Sequence, residues 1–172
     1  MAYKGTKTPE SERDSWSTPQ FIFNWLNDTF EFDIDLAANH DNNKCKRYFT
    51  IEDNALEQDW HGFDSKTGFC NPPYSKISPW INKAISQTKV GFTTVMLIPT
   101  PNGESYYREV IENATEVIFI TGRVAFIAPD GKPKSGNNRG SCVAIFRPRP
   151  FYTYAPPVIR AVERDMIKNS FT

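Results

Sequence analysis

Residues 67–74 of this chain are Thr-Gly-Phe-Cys-Asn-Pro-Pro-Tyr, a short apolar run followed by a diproline corner. The apolar run is typical of the end of a buried strand. Two successive prolines fix two φ angles and remove two backbone donors, and each favours extended geometry in the residue before it. The sequence therefore predicts a stiff loop at the carboxyl end of a strand, holding an amide, bare carbonyls and an aromatic ring in fixed relative positions.

This corner suits one kind of chemistry. The Asn71 side-chain oxygen and the Pro72 carbonyl can accept the two N–H bonds of an exocyclic amino group on a planar ring, with Pro73 completing the corner and Tyr74 stacking on the ring. The adenine amino group is a poor nucleophile, and two acceptors stabilise the charge that develops on its nitrogen during attack. The rest of the rate enhancement is positioning against a methyl donor. The alternative interpretation is a structural turn or a proline-rich ligand segment.

Composition limits the remaining possibilities. With 172 residues, 39% of them hydrophobic and 14% aromatic, the chain is large enough for one domain with a core and is not wholly disordered. We expect a polar tail over residues 1–15 and a single domain over 16–172.

No apolar run is long enough for a transmembrane helix, and the N-terminus lacks the apolar segment of a secretory signal. Three widely spaced cysteines make neither a zinc pattern nor a disulfide framework, so we expect no metal and a cytoplasmic setting.

Charge is balanced overall but unevenly distributed. Residues 28–64 contain ten acids and three bases, whereas residues 123–149 contain six bases and one acid. An acidic half beside a basic half fits a domain that holds a cationic small molecule on one side and phosphates on the other. Two solvated faces explain the same distribution equally well.

The order of elements predicts an α/β domain with a mostly parallel sheet. We expect strands over residues 30–36, 47–51, 67–70, 92–98, 116–120, 123–127 and 141–146, the last of these closing the sheet. Helices are expected over 19–27, 78–88 and 102–114, with a turn or short helix over 54–60 and an exposed loop over 128–139. Strands 123–127 and 141–146 are expected to form an antiparallel hairpin. Such sheets bind ligands at the carboxyl ends of their strands, where Asp35 and Asn71 would share one cleft.

A series of motifs runs through residues 16–75. It consists of WSTP (16–19), FDIDLAA (32–38), CKRYFT (45–50), DNAL (53–56) with Trp60, and FCNPPYS (69–75). In this series the chain resembles the small phage-type DNA N6-adenine methyltransferase (Dam) family. The resemblance extends to GRVAF (122–126) and to the strand at 141–146, so it covers most of residues 16–147.

The resemblance implies a compact Rossmann-like fold, S-adenosylmethionine as the methyl donor and a flipped adenine in double-stranded DNA as the acceptor. It also implies a phage or prophage origin, an enzyme working in the bacterial cytoplasm, and a role in protecting DNA from restriction. A methyltransferase of a protein glutamine amide or of RNA adenine remains an alternative, because the amide has the same NH₂ geometry. A catalytically inactive DNA-binding relative is the other alternative. The target sequence and the oligomeric state are not readable.

The resemblance also implies roles for the donor-binding residues. Thr18 and Pro19 match a segment near the methionine part of the donor, and Asp35 with Ala37 matches the turn after the first strand. Asp53 with Leu56 matches the side of the donor's adenine. Carboxylates suit a sulfonium and an ammonium because opposite charges attract. As alternatives, the two acids are turn or cap residues and Thr18 caps a helix.

One departure from the family pattern affects the donor site. Ala37-Ala38-Asn39 stands where the usual glycine-rich turn would be. Either Asp35 or Asp53 therefore remains a candidate for the contact with the donor ribose.

The candidate DNA contacts lie late in the chain. Phe126 is either a second stacking surface for an extruded base or a core residue. The loop residues Lys132, Lys134, Asn138 and Arg139 either contact phosphates and bases or belong to a solvated loop.

Overall fold

The computed structural model describes residues 14–62, 65–101, 103–134, 139–150 and 155–172. Within these ranges there are four α-helices: α1 (Gln20–Phe30), α2 (Ile77–Thr88), α3 (Tyr106–Asn113) and α4 (Arg164–Phe171). The strands are β1 (Ile34–Asp35), β2 (Arg47–Tyr48), β3 (Thr67–Cys70), β4 (Thr93–Pro99), β5 (Glu116–Thr121), β6 (Ser141–Phe146) and β7 (Val158–Glu163). None of the described helices is long and apolar enough to span a membrane.

The seven strands form one sheet in the order β2-β1-β3-β4-β6-β5-β7. Strand β6 is antiparallel to both of its neighbours, β4 and β5, whereas the other neighbouring pairs are parallel. The predicted α/β class with a mostly parallel sheet is therefore confirmed. Parallel strands place their carboxyl ends at one edge, and this arrangement brings the ends of β1 and β3 together.

Helices cover both faces of the sheet. In β4, Met96 and Ile98 face the cluster that contains α2 and α3, whereas Val95 and Leu97 face the cluster that contains α1 and α4. This alternation follows from the two-residue period of a strand. Because both faces are buried, β4 and β6 are apolar nearly throughout, as is expected for strands inside a three-layer domain.

Gly68 is where β3 comes closest to its neighbours. A Cβ at this position would lie 2.8 Å from both Leu36 Cδ1 and Phe92 Cζ. Only glycine fits without displacing these core side chains, so the strand before the diproline corner is placed tightly against β1.

The region before β1 differs from its predicted form. Helix α1 continues to Phe30, and Glu31 then ends it in the left-handed region with φ 48°. As a result the strand predicted over 30–36 is reduced to Ile34–Asp35. Phe30 and Phe32 instead stack on each other with ring centroids 5.9 Å apart, so their apolar character serves helix packing rather than a strand.

The predicted C-terminal antiparallel pair is present but has a different first strand, because β6 pairs with β5 and not with residues 123–127. Residues 123–127 form no strand; Ile127 makes only isolated bridges with Ser17 and Pro133. Strand β6 instead inserts between β4 and β5. The pairing of these strands depends on residues far apart in sequence, which local patterns do not specify.

The prediction that residues 141–146 form the last strand is wrong. Strand β7 pairs in parallel with β5 and leads into α4. Most of β7 is exposed, so it lacks the strong apolar pattern of a buried strand. Helix α3 also begins later than predicted, at Tyr106.

Candidate active site

A cleft lies at the carboxyl ends of β1 and β3. It encloses about 280 Å³ of space between the atoms, including its mouth to solvent. The lining residues are Asp14, Trp16, Ser17, Thr18, Asp35, Ala37, Asn42, Lys44, Phe69 and Asn71. The structure thus brings together Thr18, Asp35, Ala37 and Asn71 from the predicted site.

Asn71 follows β3 directly and begins the diproline corner. Its Nδ2 donates to the carbonyl of Trp16 at 3.3 Å. Its Oδ1 is buried and has no hydrogen-bond partner among the described residues. A buried acceptor without a donor is costly, so this oxygen is suited to receive an N–H from a ligand.

The rest of the corner is held rigidly. Pro72 is buried, and Pro73 leads into a 3₁₀ turn over Tyr74–Lys76. The Tyr74 hydroxyl donates to the Leu97 carbonyl at 3.4 Å, which ties the ring to β4. Burial raises the pKa of Tyr74 well above its ordinary value. The phenol therefore stays protonated and is not a base. The Tyr74 ring packs against the apolar clusters on both faces of the sheet and is not among the residues that line the cleft.

Phe126 packs against the ring of Tyr74. The two ring centroids lie 5.9 Å apart with an interplanar angle of 88°, an edge-to-face contact. Phe126 is 3% exposed and belongs to the apolar cluster on the α1 side of the sheet. This burial favours the interpretation of Phe126 as a core residue that orients Tyr74 over the interpretation as an open stacking surface.

Asp35 is the buried charge of the cleft. It is 3% exposed and accepts hydrogen bonds from the backbone N–H groups of Ala37 (3.3 Å) and Lys44 (3.0 Å). Burial nevertheless raises the pKa of Asp35 to about 6. The two N–H donors therefore offset only part of the desolvation cost, and a cation placed nearby would stabilise the carboxylate.

Lys44 and Asn42 line the same cleft and were not predicted. Lys44 Nζ donates to Gln20 Oε1 at 3.1 Å, and burial lowers the pKa of its ammonium. Both residues lie in the polar loop after β1, where Asn39 Oδ1 accepts from the N–H of Asn42 at 2.9 Å. Nothing in the local sequence distinguishes these side chains from those of an ordinary solvated loop.

Thr18 and Pro19 lie where the chain enters α1. The interpretation of Thr18 as a helix cap is wrong, because Pro19 occupies the N-cap position and no side chain caps the helix. Thr18 is 2% exposed, and its Oγ1 has no hydrogen-bond partner among the described residues. Pro19 is buried and does not line the cleft.

Asp53 and Leu56 do not line the cleft. The exposed Asp53 carboxylate accepts from the backbone N–H (2.7 Å) and the hydroxyl (2.8 Å) of Thr50, and these bonds lower its pKa. This is the geometry of a turn-forming acid. Trp60 holds this turn in place, because its Nε1 donates to the Ala55 carbonyl at 2.7 Å.

The predicted DNA contacts lie on the loop after residue 127. Lys134 Nζ pairs with Asp130 at 3.2 Å, whereas Lys132 is exposed. Arg139 forms an ion pair with Glu104. Asn138 lies outside the described residues.

Two further contacts were missed. Asp14, expected in the polar tail, accepts from the backbone N–H of Ser75 at 3.3 Å and also from the Ser75 hydroxyl. The separation in sequence is too long for any local pattern to have indicated this pair.

No group of three His, Cys, Asp or Glu side chains in the described part of the chain could hold a metal ion.

Comparison with known proteins agrees with the resemblance that the sequence motifs indicate. A family model described as DNA N-6-adenine-methyltransferase (Dam) matches residues 5–169. A DNA N-6-adenine-methyltransferase of Escherichia phage T1 is 36% identical over 162 residues, covering 84% of this chain and 67% of the phage protein. Another, from Haemophilus phage HP1 (strain HP1c1), is 33% identical over 152 residues, covering 86% of each chain. A putative methyltransferase of Escherichia coli K12, YfdM, is 44% identical over 71 residues, covering 39% of this chain and 74% of the relative.

The mixed, mostly parallel sheet is consistent with a Rossmann-like methyltransferase fold, and the match extends over nearly all of the sequence. The chain belongs to the DNA N-6-adenine-methyltransferase (Dam) family.

Proposed function

We propose that this chain is an enzyme that transfers a methyl group from S-adenosylmethionine to N6 of adenine in DNA. Membership of the family supports the reaction. The observation that carries the proposal is the buried Asn71 Oδ1, which has no hydrogen-bond partner in the described part of the chain. Asn71 shares its cleft with the buried Asp35. An acceptor for an amino group and an anion for a cationic donor therefore line the same cleft.

The residues of the cleft fit the donor. S-adenosylmethionine, when bound, supplies an electrophilic methyl group on a sulfonium. Asp35, whose pKa is raised to about 6 by burial, is stabilised as a carboxylate by the donor's positive charges. The Thr18 hydroxyl, buried and without a described partner, can bond the polar amino-acid end of the donor. Ala37 lets the donor approach the backbone after β1.

Asn71 and the Pro72 carbonyl hold the acceptor in this proposal. The adenine leaves the duplex, which costs a few kcal/mol. Its two N6–H bonds point to Asn71 Oδ1 and to the Pro72 carbonyl, and Tyr74 stacks on the ring. As the nitrogen bonds to carbon, the bond from that carbon to sulfur breaks. Neither acceptor is a base, so N6 loses its extra proton to solvent water at the mouth of the cleft only after the new bond has formed.

The outer parts of the site have supporting roles. Lys132 and Lys134 contact phosphates beside the cleft, and Arg139 does so from its ion pair with Glu104. Asp53 and Leu56 stay candidates for the adenine side of the donor, although neither lines the cleft and the Asp53 carboxylate is engaged with Thr50. Phosphate contacts of this kind fix the position of the duplex and do not read its sequence.

Transfer of a tritiated methyl group to DNA, RNA and protein tests the proposal. Wild-type chain is expected to label DNA at adenine N6. Asn71→Ala is expected to lose about 100-fold or more of the rate, as is typical when a group that stabilises developing charge is removed, while binding of the product S-adenosylhomocysteine in calorimetry is retained. Asn82→Ala, on the exposed face of α2, is the matched control and should behave as wild type.

Three results would contradict the proposal. Full activity of Asn71→Ala would remove the assigned acceptor. Label found in RNA or in a protein glutamine instead of DNA would replace the substrate. A wild-type chain that binds no S-adenosylhomocysteine and labels nothing would be an inactive relative.

A further inference from the structure

We infer that residues 14–17, here called the N-terminal strap, decide which end of the Asn71 amide faces the substrate. Asp14 and Ser75 act as positioning residues in this arrangement. The inference rests on the proposed function of Asn71 as the acceptor for an amino group. It adds a requirement that the diproline corner cannot meet alone, since prolines fix the backbone and not the side-chain amide.

An asparagine amide has two ends of nearly the same shape and opposite polarity. Oδ1 accepts hydrogen bonds and Nδ2 donates them. An amino group that must give up its protons needs Oδ1. The reversed amide would place one NH₂ group against another, so the site requires something that distinguishes the two orientations.

The Trp16 carbonyl makes this distinction. It is 3.3 Å from Asn71 Nδ2 and accepts its hydrogen bond. A carbonyl oxygen cannot donate, so the reversed amide would set two acceptors against each other. With Nδ2 engaged, Oδ1 is the end without a described partner. The orientation that the proposed reaction needs is therefore the one that the strap enforces.

The strap is fastened on both sides of Trp16. On one side, the two oxygens of the Asp14 carboxylate accept from the N–H and the hydroxyl of Ser75. On the other side, Ser17 exchanges two backbone hydrogen bonds with Ile127, at 2.8 and 2.9 Å. Ser75 directly follows the corner residues 71–74, so the Asp14–Ser75 pair ties the strap to the loop that it orients. Hydrogen bonds to a charged acceptor are stronger than neutral ones.

An aspartate at position 71 would not need this device. Its two oxygens are equivalent acceptors, so either one can face the substrate. It would also lose the donor that the Trp16 carbonyl accepts from. Loosening the strap should therefore lower the methylation rate of the wild-type chain. It should cause no further loss of rate in an Asn71→Asp chain.

Nuclear magnetic resonance of the 172-residue chain with ¹⁵N-labelled asparagine tests the inference without any reaction. The Asn71 side-chain NH₂ signal is identified by its absence in Asn71→Ala. In Ser75→Ala and Asp14→Ala, we expect this signal to move and its hydrogen exchange to become several-fold faster, because the bond to Trp16 is weakened. Asp28→Ala, at an exposed position on α1, is the control and should leave the signal in place. An unchanged Asn71 signal in both strap variants would overturn the inference, whether or not the chain methylates DNA.

Kinetics separate orientation from general loosening. Ser75→Ala is a mild change at an exposed position. We expect it to lower kcat by about twofold, the limit for an amide that populates both orientations equally. Binding of S-adenosylhomocysteine and the melting temperature should stay close to wild type. In the Asn71→Asp background the same change should have no effect on kcat, and an equal loss in both backgrounds would contradict the inference. If Asn71→Asp is inactive, the resonance experiment decides.

Discussion

The Asp35 carboxylate provides a test of how far burial controls this site. Its pKa is raised from 3.8 to about 6 because desolvation outweighs the two N–H bonds that it accepts. The folded chain therefore keeps a proton on Asp35 at pH values where the unfolded chain has already lost it. The contribution of Asp35 to the free energy of unfolding is full below about pH 4 and is lost as the pH rises through about 6.

The size of this effect follows from the two pKa values. The two pKa values differ by about two pH units. Because one pH unit corresponds to about 1.36 kcal/mol, this difference is worth about 3 kcal/mol. Asp35→Asn has the same shape and no charge at any pH. The free energy of unfolding of this variant minus that of wild type should therefore increase by up to about 3 kcal/mol between about pH 4 and pH 7.

Urea denaturation of both proteins across this pH range measures the difference directly, and groups that titrate alike in both proteins cancel. The loss of an accepted backbone hydrogen bond in Asp35→Asn shifts the difference by a constant and leaves its pH dependence intact. A difference that is flat with pH would show that Asp35 is not desolvated as the structure indicates. Affinity of wild type for S-adenosylhomocysteine, which carries an ammonium, should rise over the same range, since the ionised carboxylate is the form that attracts it.

Other changes give shorter tests. Thr18→Val should raise the free energy of unfolding by about 1 kcal/mol, because it removes a buried hydroxyl without a described partner. The same change should weaken donor binding in calorimetry, and unchanged binding would argue against a donor contact. Gly68→Ala should cost about 1–3 kcal/mol in urea denaturation, because its Cβ would lie 2.8 Å from Leu36 Cδ1; a neutral result would mean that the core yields easily. Trp60→Phe should cost about 1–3 kcal/mol by leaving the Ala55 carbonyl unpaired, and an unaltered denaturation midpoint would contradict that role.

Several elements were predictable because their signals are local. The buried strand before Asn71 and the stiff corner after it follow from an apolar run and two prolines, whose restrictions act on neighbouring residues. The sharing of one cleft by Asp35 and Asn71 also followed, since the carboxyl ends of parallel strands meet at one edge. The assignment of catalytic and donor-binding roles to these residues stays a prediction.

Other elements were not predictable because their signals are distant. The insertion of β6 between β4 and β5 depends on which apolar edges meet in the folded core. Strand β7 is mostly exposed, so its sequence lacks the alternation that marks a half-buried strand. The motif that contains Asp53 did not indicate that its carboxylate accepts from Thr50 within its own turn, and its donor-binding role stays a prediction.

The sequence by itself determined the α/β class and the stiffness of the diproline corner, because proline geometry and the apolar period of a strand are properties of adjacent residues. Only the tertiary structure decided how the amide in that corner is oriented. Asn71 and Trp16 are 55 residues apart, and Asp14 and Ser75 are 61. Such pairs form only when the sheet has assembled and the strap lies against the diproline corner, because a hydrogen bond between distant residues depends on the packing of everything between them.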